Sequence, residues 1–171
     1  VLLLPSPDSG ANKRTEACLK RYILVTGGTG FVGNALLQRL IKHPESRILA
    51  WVRRPDKVLP AGVVPVVASF NRIFAVGSLT GRVDTVVHCA ARVHVMNETA
   101  SDPLSEFRKV NVELTLDLAR AAIAAGATRF IFLSTIKVHG ECSGAGAPFT
   151  ACDTPRPADP YALSKLEAEE Q

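Results

Sequence analysis

The glycine-rich segment VTGGTGFVG, residues 25–33, has the spacing of a phosphate-binding turn. Glycines at positions 27, 30 and 33 suit three needs: an unusual backbone φ, close approach of the backbone to a pyrophosphate, and tight helix-to-strand contact. A helix that follows would point its N–H groups at the phosphates. No lysine follows the glycines, which excludes a P-loop. The segment predicts dinucleotide binding, and a tight turn without a ligand is the plainer alternative.

A second segment, YALSK at residues 161–165, contains a tyrosine and a lysine four residues apart. On a helix this spacing puts the phenol of Tyr161 and the ammonium of Lys165 on one face. The pattern is common by itself, and an exposed helical pair is its simplest interpretation. Because the Tyr161–Lys165 pattern follows an apolar run and a proline-rich stretch, it is a more specific indication of a functional site.

Alternating strands and helices must position these two segments. Apolar runs bounded by turn residues predict buried parallel strands at 22–25, 48–52, 63–67, 83–88 and 129–133. Helical periodicity predicts helices at 31–42, at 103–125 and from 161 onward, with a short helix over 71–79 and a loop over 140–159. This alternation predicts an α/β fold, a doubly wound parallel sheet of Rossmann type in three α/β/α layers.

The first residues differ in character from the rest of the chain. The opening apolar run stops at Pro5, which is too short for a signal-peptide core or a membrane span. Residues 5–17 are polar and rich in helix breakers. We therefore expect a flexible leader over residues 1–19 and a dinucleotide-binding domain over residues 20–171.

Composition narrows the class of protein. The chain has 171 residues, of which 47% are hydrophobic and 21% charged, which is typical of a globular domain and not of a disordered chain. The net charge of +4 is scattered, so no nucleic-acid partner is expected. Four cysteines form no C-x-x-C pair and indicate neither a metal site nor a disulfide framework. We expect a cytoplasmic protein without membrane attachment.

Five motifs in this order resemble those of the extended short-chain dehydrogenase/reductase family, which includes nucleotide-sugar epimerases, dehydratases and 4-ketoreductases. Besides TGGTGFVG and YALSK, they are HCAA at 88–91, NVELT at 111–115 and FIFLSTIKVHG at 130–140. The resemblance runs from about Tyr22 to Gln171.

The resemblance implies roles for particular residues. The catalytic residues it implies are Tyr161, Lys165, Thr135 and Asn111. The cofactor-binding residues it implies are Gly27, Thr29, Gly30, Phe31, Val32, Gly33, Arg53, Arg54, Cys89, Ala90, Ala91 and Ser134, together with Tyr161 and Lys165.

The implied chemistry is hydride transfer at a secondary alcohol. The hydroxyl proton must leave with the hydride, and an isolated tyrosine with a pKa of about 10 is a poor base at neutral pH. A nearby Lys165 ammonium and the cationic nicotinamide would both favour phenolate, so Tyr161 would act as the base, or as the acid in the reverse direction. Thr135 would hold the reacting oxygen, and Asn111 would support the site.

Two arginines bear on the choice of cofactor. A carboxylate after the second strand would contact the ribose 2′-hydroxyl of NAD. This chain has Arg53 and Arg54 there, with no acid before Asp56. Guanidinium groups can neutralise a 2′-phosphate, so we expect NADP slightly ahead of NAD. A solvated loop is the alternative interpretation.

Other side chains with chemical potential have simpler explanations. His139 stands where the family has tyrosine and could contact a substrate, but a loop histidine without a special role is the simpler hypothesis. We expect His88 to pack in the core and His94 to lie in a loop. Neither histidine has the neighbouring ligands that a metal site would need. Trp51 could stack on adenine, yet inward packing from a strand is expected.

The length of the chain is the largest departure from the family. Family members carry a C-terminal substrate domain, which we expect to be absent here, so the chain is interpreted as part of an enzyme. The family's dimers form through two long helices of each subunit. The resemblance therefore implies a possible homodimer through the helix at 103–125 and the helix starting at 161.

The leading hypothesis is hydride transfer at C4 of a nucleotide sugar, by a UDP-sugar 4-epimerase or a 4-ketoreductase that uses NAD or NADP. A dehydratase is less favoured, because dehydratases of the family have Asp-Glu after the catalytic hydroxyl, where this chain has Ile136 and Lys137. The alternatives are a steroid- or flavonoid-type alcohol dehydrogenase of the same branch and a non-catalytic NAD(P)-binding module. A nucleic-acid binder is a weaker third hypothesis.

Overall fold

The computed structural model describes residues 2–3, 21–69, 72–73, 79, 81–93 and 101–171. The strands are β1 (Leu2–Leu3), β2 (Arg21–Thr26), β3 (Ser46–Val52), β4 (Val64–Val67), β5 (Val83–His88) and β6 (Arg129–Phe132). The helices are α1 (Phe31–Leu40), α2 (Pro103–Arg108), a π-helical segment (Lys109–Glu113), α3 (Leu114–Ala124), a 3₁₀ helix (Ile136–His139) and α4 (Pro160–Glu169).

The sheet has the predicted doubly wound topology. Its strand order is β1-β6-β5-β2-β3-β4, and every pair except β1 with β6 is parallel. The chain moves outward in one direction from β2 through β3 to β4 and then in the other from β5 to β6. The order therefore reverses between β2 and β5, the point where open α/β sheets bind ligands at the strands' carboxyl ends.

The N-terminus differs from the expected flexible leader at two residues. Leu2 and Leu3 pair antiparallel with β6, where Leu2 lies opposite Phe130. These two residues extend the sheet by one short edge strand. The other residues of the expected leader lie outside the described part of the chain, as do His94 and most of the short helix expected over 71–79.

The described residues divide into two compact units, unit 1 within residues 1–90 and 118–133, and unit 2 within residues 91–117 and 134–171. In unit 1, neighbouring residues of β2 belong to different apolar clusters: Leu24 packs with Leu118 of α3, and Val25 packs with Leu37 of α1. Successive strand residues point to opposite faces, so the two clusters cover the two faces of the sheet.

Two aromatic side chains of unit 1 pack as expected. His88 is fully buried and lies about midway between the rings of Phe130 and Phe132, with both centroids 6.0 Å away. Trp51 packs against the larger apolar cluster, and its indole N–H donates to the Ala68 carbonyl at 2.9 Å. Both predictions of inward packing are confirmed.

Unit 2 contains two helices that begin in the same way. Asp102 precedes Pro103 and accepts a hydrogen bond from the Ser105 N–H at 3.1 Å. Asp159 precedes Pro160 and accepts one from the Ala162 N–H at 2.6 Å. An aspartate at the N-cap satisfies a free backbone N–H, and proline at the first helical position has its φ already set. These caps fix where α2 and α4 begin.

Within the described residues, no helix has the length and apolar character needed to cross a lipid bilayer.

Candidate functional site

The glycine turn between β2 and α1 has a geometry that side chains would obstruct. Gly27 has a φ of +70°, and a Cβ there would lie 2.6 Å from the backbone nitrogen of Ala90. A Cβ at Gly33 would lie 2.2 Å from the carbonyl oxygen of Gly27. Both distances are far below van der Waals contact, so the turn requires glycine at these positions. The unusual φ and the tight contact are two of the three needs inferred from the spacing.

The N-terminus of α1 is open to solvent. Its N-cap residue, Gly30, supplies no side chain to the first N–H groups, which also have no partners within the helix. The residues around it are exposed, Thr29 among them, with Phe31 at 95% and Val32 at 51%. The first turn of α1 contains no acidic residue. An uncapped helix N-terminus of this kind favours an anion such as phosphate.

A hydrogen-bond network joins the turn to the end of β5. The Thr26 hydroxyl and the His88 Nδ1 are 2.6 Å apart and both buried. The Ala90 N–H donates to the same hydroxyl at 3.3 Å, and the Cys89 N–H donates to the Thr26 carbonyl at 3.2 Å. The structure therefore brings Cys89 and Ala90 beside Gly27, as required if both segments contact one ligand. Sequence reasoning missed this role of Thr26.

The two arginines considered for cofactor choice follow β3 directly. Arg53 and Arg54 are both exposed. Their position after the second parallel strand is the one that the prediction required.

In unit 2, the hydroxyl of Thr135 lies near enough to the phenol of Tyr161 to influence its pKa. Its ring lies 6.2 Å from that of Phe107, centroid to centroid. Burial raises the pKa of the Tyr161 phenol above its ordinary value. The Thr135 hydroxyl and the charge of Lys137 act in the opposite direction, and the Asp159 carboxylate adds to the increase. The lowering expected from Lys165 together with a bound nicotinamide concerns the cofactor complex and stays a prediction.

A buried amide network supports the backbone of Tyr161. Asn111 lies in the π-helical segment and is 1% exposed. Its Oδ1 accepts from the Arg92 N–H at 2.8 Å, and its Nδ2 donates to the Arg92 carbonyl at 3.0 Å and to the Ser164 hydroxyl at 2.9 Å. Ser164 in turn donates to the Tyr161 carbonyl at 2.8 Å. Asn111 thereby fixes the first turn of α4, and Ser164 is a supporting residue that sequence reasoning missed.

The remaining residues of the candidate site in unit 2 are Lys165, Ser134 and Ala91. Lys165 lies one turn after Tyr161 on α4 and is 1% exposed. Ser134 directly precedes Thr135, and its buried Oγ has no hydrogen-bond partner among the described residues. Ala91 is half-buried. His139 contacts the ring of Phe149 at 5.9 Å between centroids, beside a cavity of about 400 Å³ lined also by Arg156.

A charged pair near Tyr161 was not predicted. The Lys137 ammonium is bonded to the Asp159 carboxylate, and the same ammonium lies 3.0 Å from Glu141. The sequence did carry a signal for Asp159, because an Asp-Pro pair directly before a helical pattern is typical of an N-cap. It carried none for the pairing with Lys137.

The residues present fit a dinucleotide cofactor. The glycine turn leaves the backbone uncovered at an uncapped helix N-terminus, which is suited to a pyrophosphate. In unit 2, taken by itself, the buried Ser134 hydroxyl has no hydrogen-bond partner among the described residues, and a ligand can satisfy a buried polar group of this kind. Among the described residues, no three His, Cys, Asp or Glu side chains are grouped to hold a metal ion.

Comparisons with known proteins agree with this geometry. The sequence model of the NAD dependent epimerase/dehydratase family matches residues 23–171. The chain is 39% identical over 162 residues to the UDP-glucose 4-epimerase of Vibrio cholerae, covering 90% of this chain and 46% of that protein. It is 30% identical to the dTDP-glucose 4,6-dehydratase of Neisseria gonorrhoeae, covering 88% and 49% respectively.

A solved structure shares the fold. A short-chain dehydrogenase/reductase superfamily protein from Agrobacterium tumefaciens with bound NAD superposes with a TM-score of 0.69 at 32% identity, covering 88% of this chain and 43% of that one. The chain therefore spans somewhat less than half the length of the relatives it matches.

Proposed function

The chain belongs to the NAD dependent epimerase/dehydratase family, and from this membership we propose that its parent enzyme transfers hydride at C4 of a nucleotide sugar, as a 4-epimerase or a 4-ketoreductase. The observation that supports this most directly is the proximity of Tyr161 and Thr135. An ionisable phenol lies near a hydroxyl that directly precedes the 3₁₀ helix. Such a pair can bind a sugar oxygen and exchange its proton.

In the proposed mechanism, Thr135 holds the C4 oxygen by a hydrogen bond while Tyr161 moves the proton. When bound, a nicotinamide dinucleotide would supply the hydride acceptor or donor. Oxidation of the sugar requires Tyr161 to take the hydroxyl proton, and reduction of a 4-keto group requires it to return one. A phenol with a raised pKa is ready for the second role at neutral pH. Asn111 acts through Ser164 to keep the first turn of α4 in place.

We propose that the glycine turn binds the pyrophosphate through the N–H groups of α1, and that Ser134 and Lys165 contact the nicotinamide riboside. For the adenosine end we propose NADP ahead of NAD, because two exposed guanidinium groups, Arg53 and Arg54, follow β3. The relative from Agrobacterium tumefaciens has bound NAD, so the arginines alone support this preference.

A dehydratase is a weaker candidate, although a dTDP-glucose 4,6-dehydratase is among the relatives. Elimination of water needs a second acid and base beside the hydride site. The two positions after Thr135 are occupied by Ile136, which is 62% exposed, and by Lys137, whose ammonium is paired with Asp159. Neither side chain supplies the carboxyl group.

Turnover by the full-length protein tests the proposal. The substrates are UDP-glucose and its 4-keto form, each with NAD(H) and NADP(H). Tyr161→Phe removes the phenol oxygen and keeps the ring, and we expect kcat to fall by about 10²- to 10⁴-fold. Tyr22→Phe is the matched control, because Tyr22 lies in β2 at the opposite end of the strand from the glycine turn. Unchanged turnover in Tyr161→Phe would reject the proposed role.

The same assay separates the two reactions. A 4-epimerase interconverts UDP-glucose and UDP-galactose without net oxidation of the cofactor. A 4-ketoreductase consumes one reduced cofactor for each 4-keto sugar. Cofactor binding without either reaction, or with a steroid or flavonoid as the only accepted substrate, would favour the alternatives considered from the sequence.

Cofactor choice is tested by titrating the full-length protein with NADPH and NADH while following nicotinamide fluorescence. If the arginines contact a 2′-phosphate, replacing both by alanine weakens NADPH binding by at least about 10-fold and leaves NADH binding nearly unchanged. An equal effect on the two cofactors would support the solvated-loop interpretation.

We also propose the homodimer that the resemblance implies, through the long helix at 103–124 and α4. Sedimentation of the full-length protein would test it. A monomer at all accessible concentrations would reject it.

A further inference from the structure

An ion pair beside Tyr161 is not explained by the proposed chemistry. Lys137 lies on the 3₁₀ helix two residues after Thr135, and its backbone N–H donates to the Thr135 hydroxyl at 3.4 Å. Its ammonium is bonded to the carboxylate of Asp159, two residues before Tyr161. One short element therefore presents both a hydroxyl and a positive charge toward the start of α4.

The Asp159 carboxylate stabilises the N-terminus of α4, but its negative charge disfavours ionisation of the Tyr161 phenol. Its carboxylate caps α4 by accepting from the Ala162 N–H at 2.6 Å, which keeps a negative charge at the helix N-terminus. A carboxylate at the N-cap, two residues before Tyr161, disfavours removal of the phenol proton, because the product would be a second negative charge. Asp159 accordingly adds to the raised pKa of Tyr161, whereas Lys137 opposes it.

We propose that Lys137 is a positioning residue for the reaction: by pairing with Asp159, its ammonium offsets the negative charge that the helix cap places beside Tyr161, so that the phenol can release its proton. This inference rests on the proposed function, in which Tyr161 exchanges the substrate proton. It assigns a task to a residue that the sequence analysis considered only as evidence against a dehydratase.

The other groups near the start of α4 differ from Lys137 in charge, position or exposure. α2 contributes the ring of Phe107, which carries no charge. Thr135 contributes a neutral hydroxyl. Lys165, on α4 itself, is buried one turn further along. Glu141, the second carboxylate on Lys137, lies 3.0 Å from the ammonium and is half exposed to water.

The test titrates the phenol directly in the full-length protein without cofactor. Tyrosine labelled with ¹³C at Cζ reports ionisation by NMR, and the Tyr161→Phe spectrum identifies the signal. In Lys137→Gln we expect the Tyr161 titration to move upward by about half to one pH unit. The rise of kcat/KM with pH should move by the same amount, which lowers kcat/KM near neutral pH by about three- to ten-fold.

Three further variants isolate the cause. Lys137→Arg keeps the positive charge, so the Tyr161 phenol should titrate in this variant as it does in the unsubstituted protein. Lys109→Gln removes another exposed lysine of unit 2, one that is paired with Glu106 at 2.6 Å, and should leave the titration unchanged. Asp159→Asn keeps an N-cap side chain but removes the opposing charge, so the titration should move downward.

The proposal is overturned if the Tyr161 titration is the same in Lys137→Gln as in the parent, or if Asp159→Asn moves it upward. Failure of the proposed function has a different signature. If Tyr161→Phe retains turnover, the role of Tyr161 in catalysis is wrong, and the NMR titration still reports whether Lys137 acts on the phenol.

Discussion

The two units present their candidate functional residues in different ways. In unit 1 the glycine turn acts through its backbone, and the side chains beside it, such as Phe31, are exposed. In unit 2 the candidate residues present side chains, and Asn111 and Ser164 hold the first turn of α4 by hydrogen bonds. Unit 1 is therefore sensitive to any atom added to the turn, whereas unit 2 is sensitive to changes that preserve shape and alter polarity. Four predictions test this contrast, and all are measured on the full-length protein without cofactor.

The largest effect is expected for Gly27→Ala. The added Cβ meets Ala90 at 2.6 Å, and the φ of +70° is strained for alanine, so we expect a loss of about 3 kcal/mol in the free energy of unfolding. Gly81→Ala is the matched control: Gly81 has a φ of +71° and no atom within 4 Å of the added Cβ. Urea unfolding should give a loss of only about 1 kcal/mol for Gly81→Ala. Equal losses would contradict the contact argument.

Asn111→Asp keeps the shape of the side chain and should still destabilise unit 2. The replacement removes the donor to the Arg92 carbonyl and to Ser164, and it buries a charge. We expect a loss of about 2 kcal/mol in the free energy of unfolding. The control is Asn34→Asp, at a half-buried site on α1 where the side-chain oxygen accepts a hydrogen bond from the Gln38 amide at 2.8 Å. Its stability should change by less than about 0.5 kcal/mol.

Acid should loosen the start of α4 before it affects β2. Burial alone would raise the pKa of Asp159, but hydrogen bonds from the Ala162 N–H and Lys137 lower it overall. A hydrogen bond from Arg108 likewise lowers the pKa of Glu167. Groups with a lowered folded-state pKa stabilise the protein above their unfolded pKa, and this contribution is lost as the pH falls.

Hydrogen exchange measures this directly. Below about pH 4, the amides of Ala162 and Leu163 should lose protection before those of Leu24 and Val25. Asp159→Asn, which cannot titrate, should weaken the pH dependence at α4. Simultaneous loss in both units would mean that the carboxylates do not control local stability.

The smallest effect is expected for Phe31→Ser. The ring is 95% exposed beside the glycine turn, so the free energy of unfolding should change by less than about 0.5 kcal/mol. A larger loss in urea unfolding would mean that side chains, and not only the backbone, hold the turn together.

Sequence reasoning succeeded where a local pattern determines structure. The strand at 83–88 was predicted with its observed bounds, because an apolar run between turn residues is sufficient to define it. The glycine turn was predicted from its spacing alone. The helix at 103–125 was predicted as one element and is present, but its π-helical segment was missed, since apolar residues at spacings of three and four do not distinguish it from an α-helix.

The polar contacts of unit 2 were harder to predict because they join distant parts of the chain. Lys137 and Asp159 are 22 residues apart across a proline-rich loop, and Asn111 and Ser164 are 53 apart. The environment of Tyr161 depends on these contacts. In the protein without cofactor the pKa of Tyr161 is raised, mainly by burial. The predicted lowering includes the charge of a bound nicotinamide and stays a prediction, although the residue itself was identified by its spacing from Lys165.

The Asp159-Pro160 start of α4 has a consequence for engineering. The N-cap and the proline fix the first turn of α4, and the Arg156 N–H bonds to the Val138 carbonyl at 2.8 Å and closes the loop between them. A change in the length of the segment between Val138 and Arg156 should therefore leave the position of α4 unchanged. Gly146, with open space around its Cα, is the natural point at which to graft a peptide tag without displacing Tyr161.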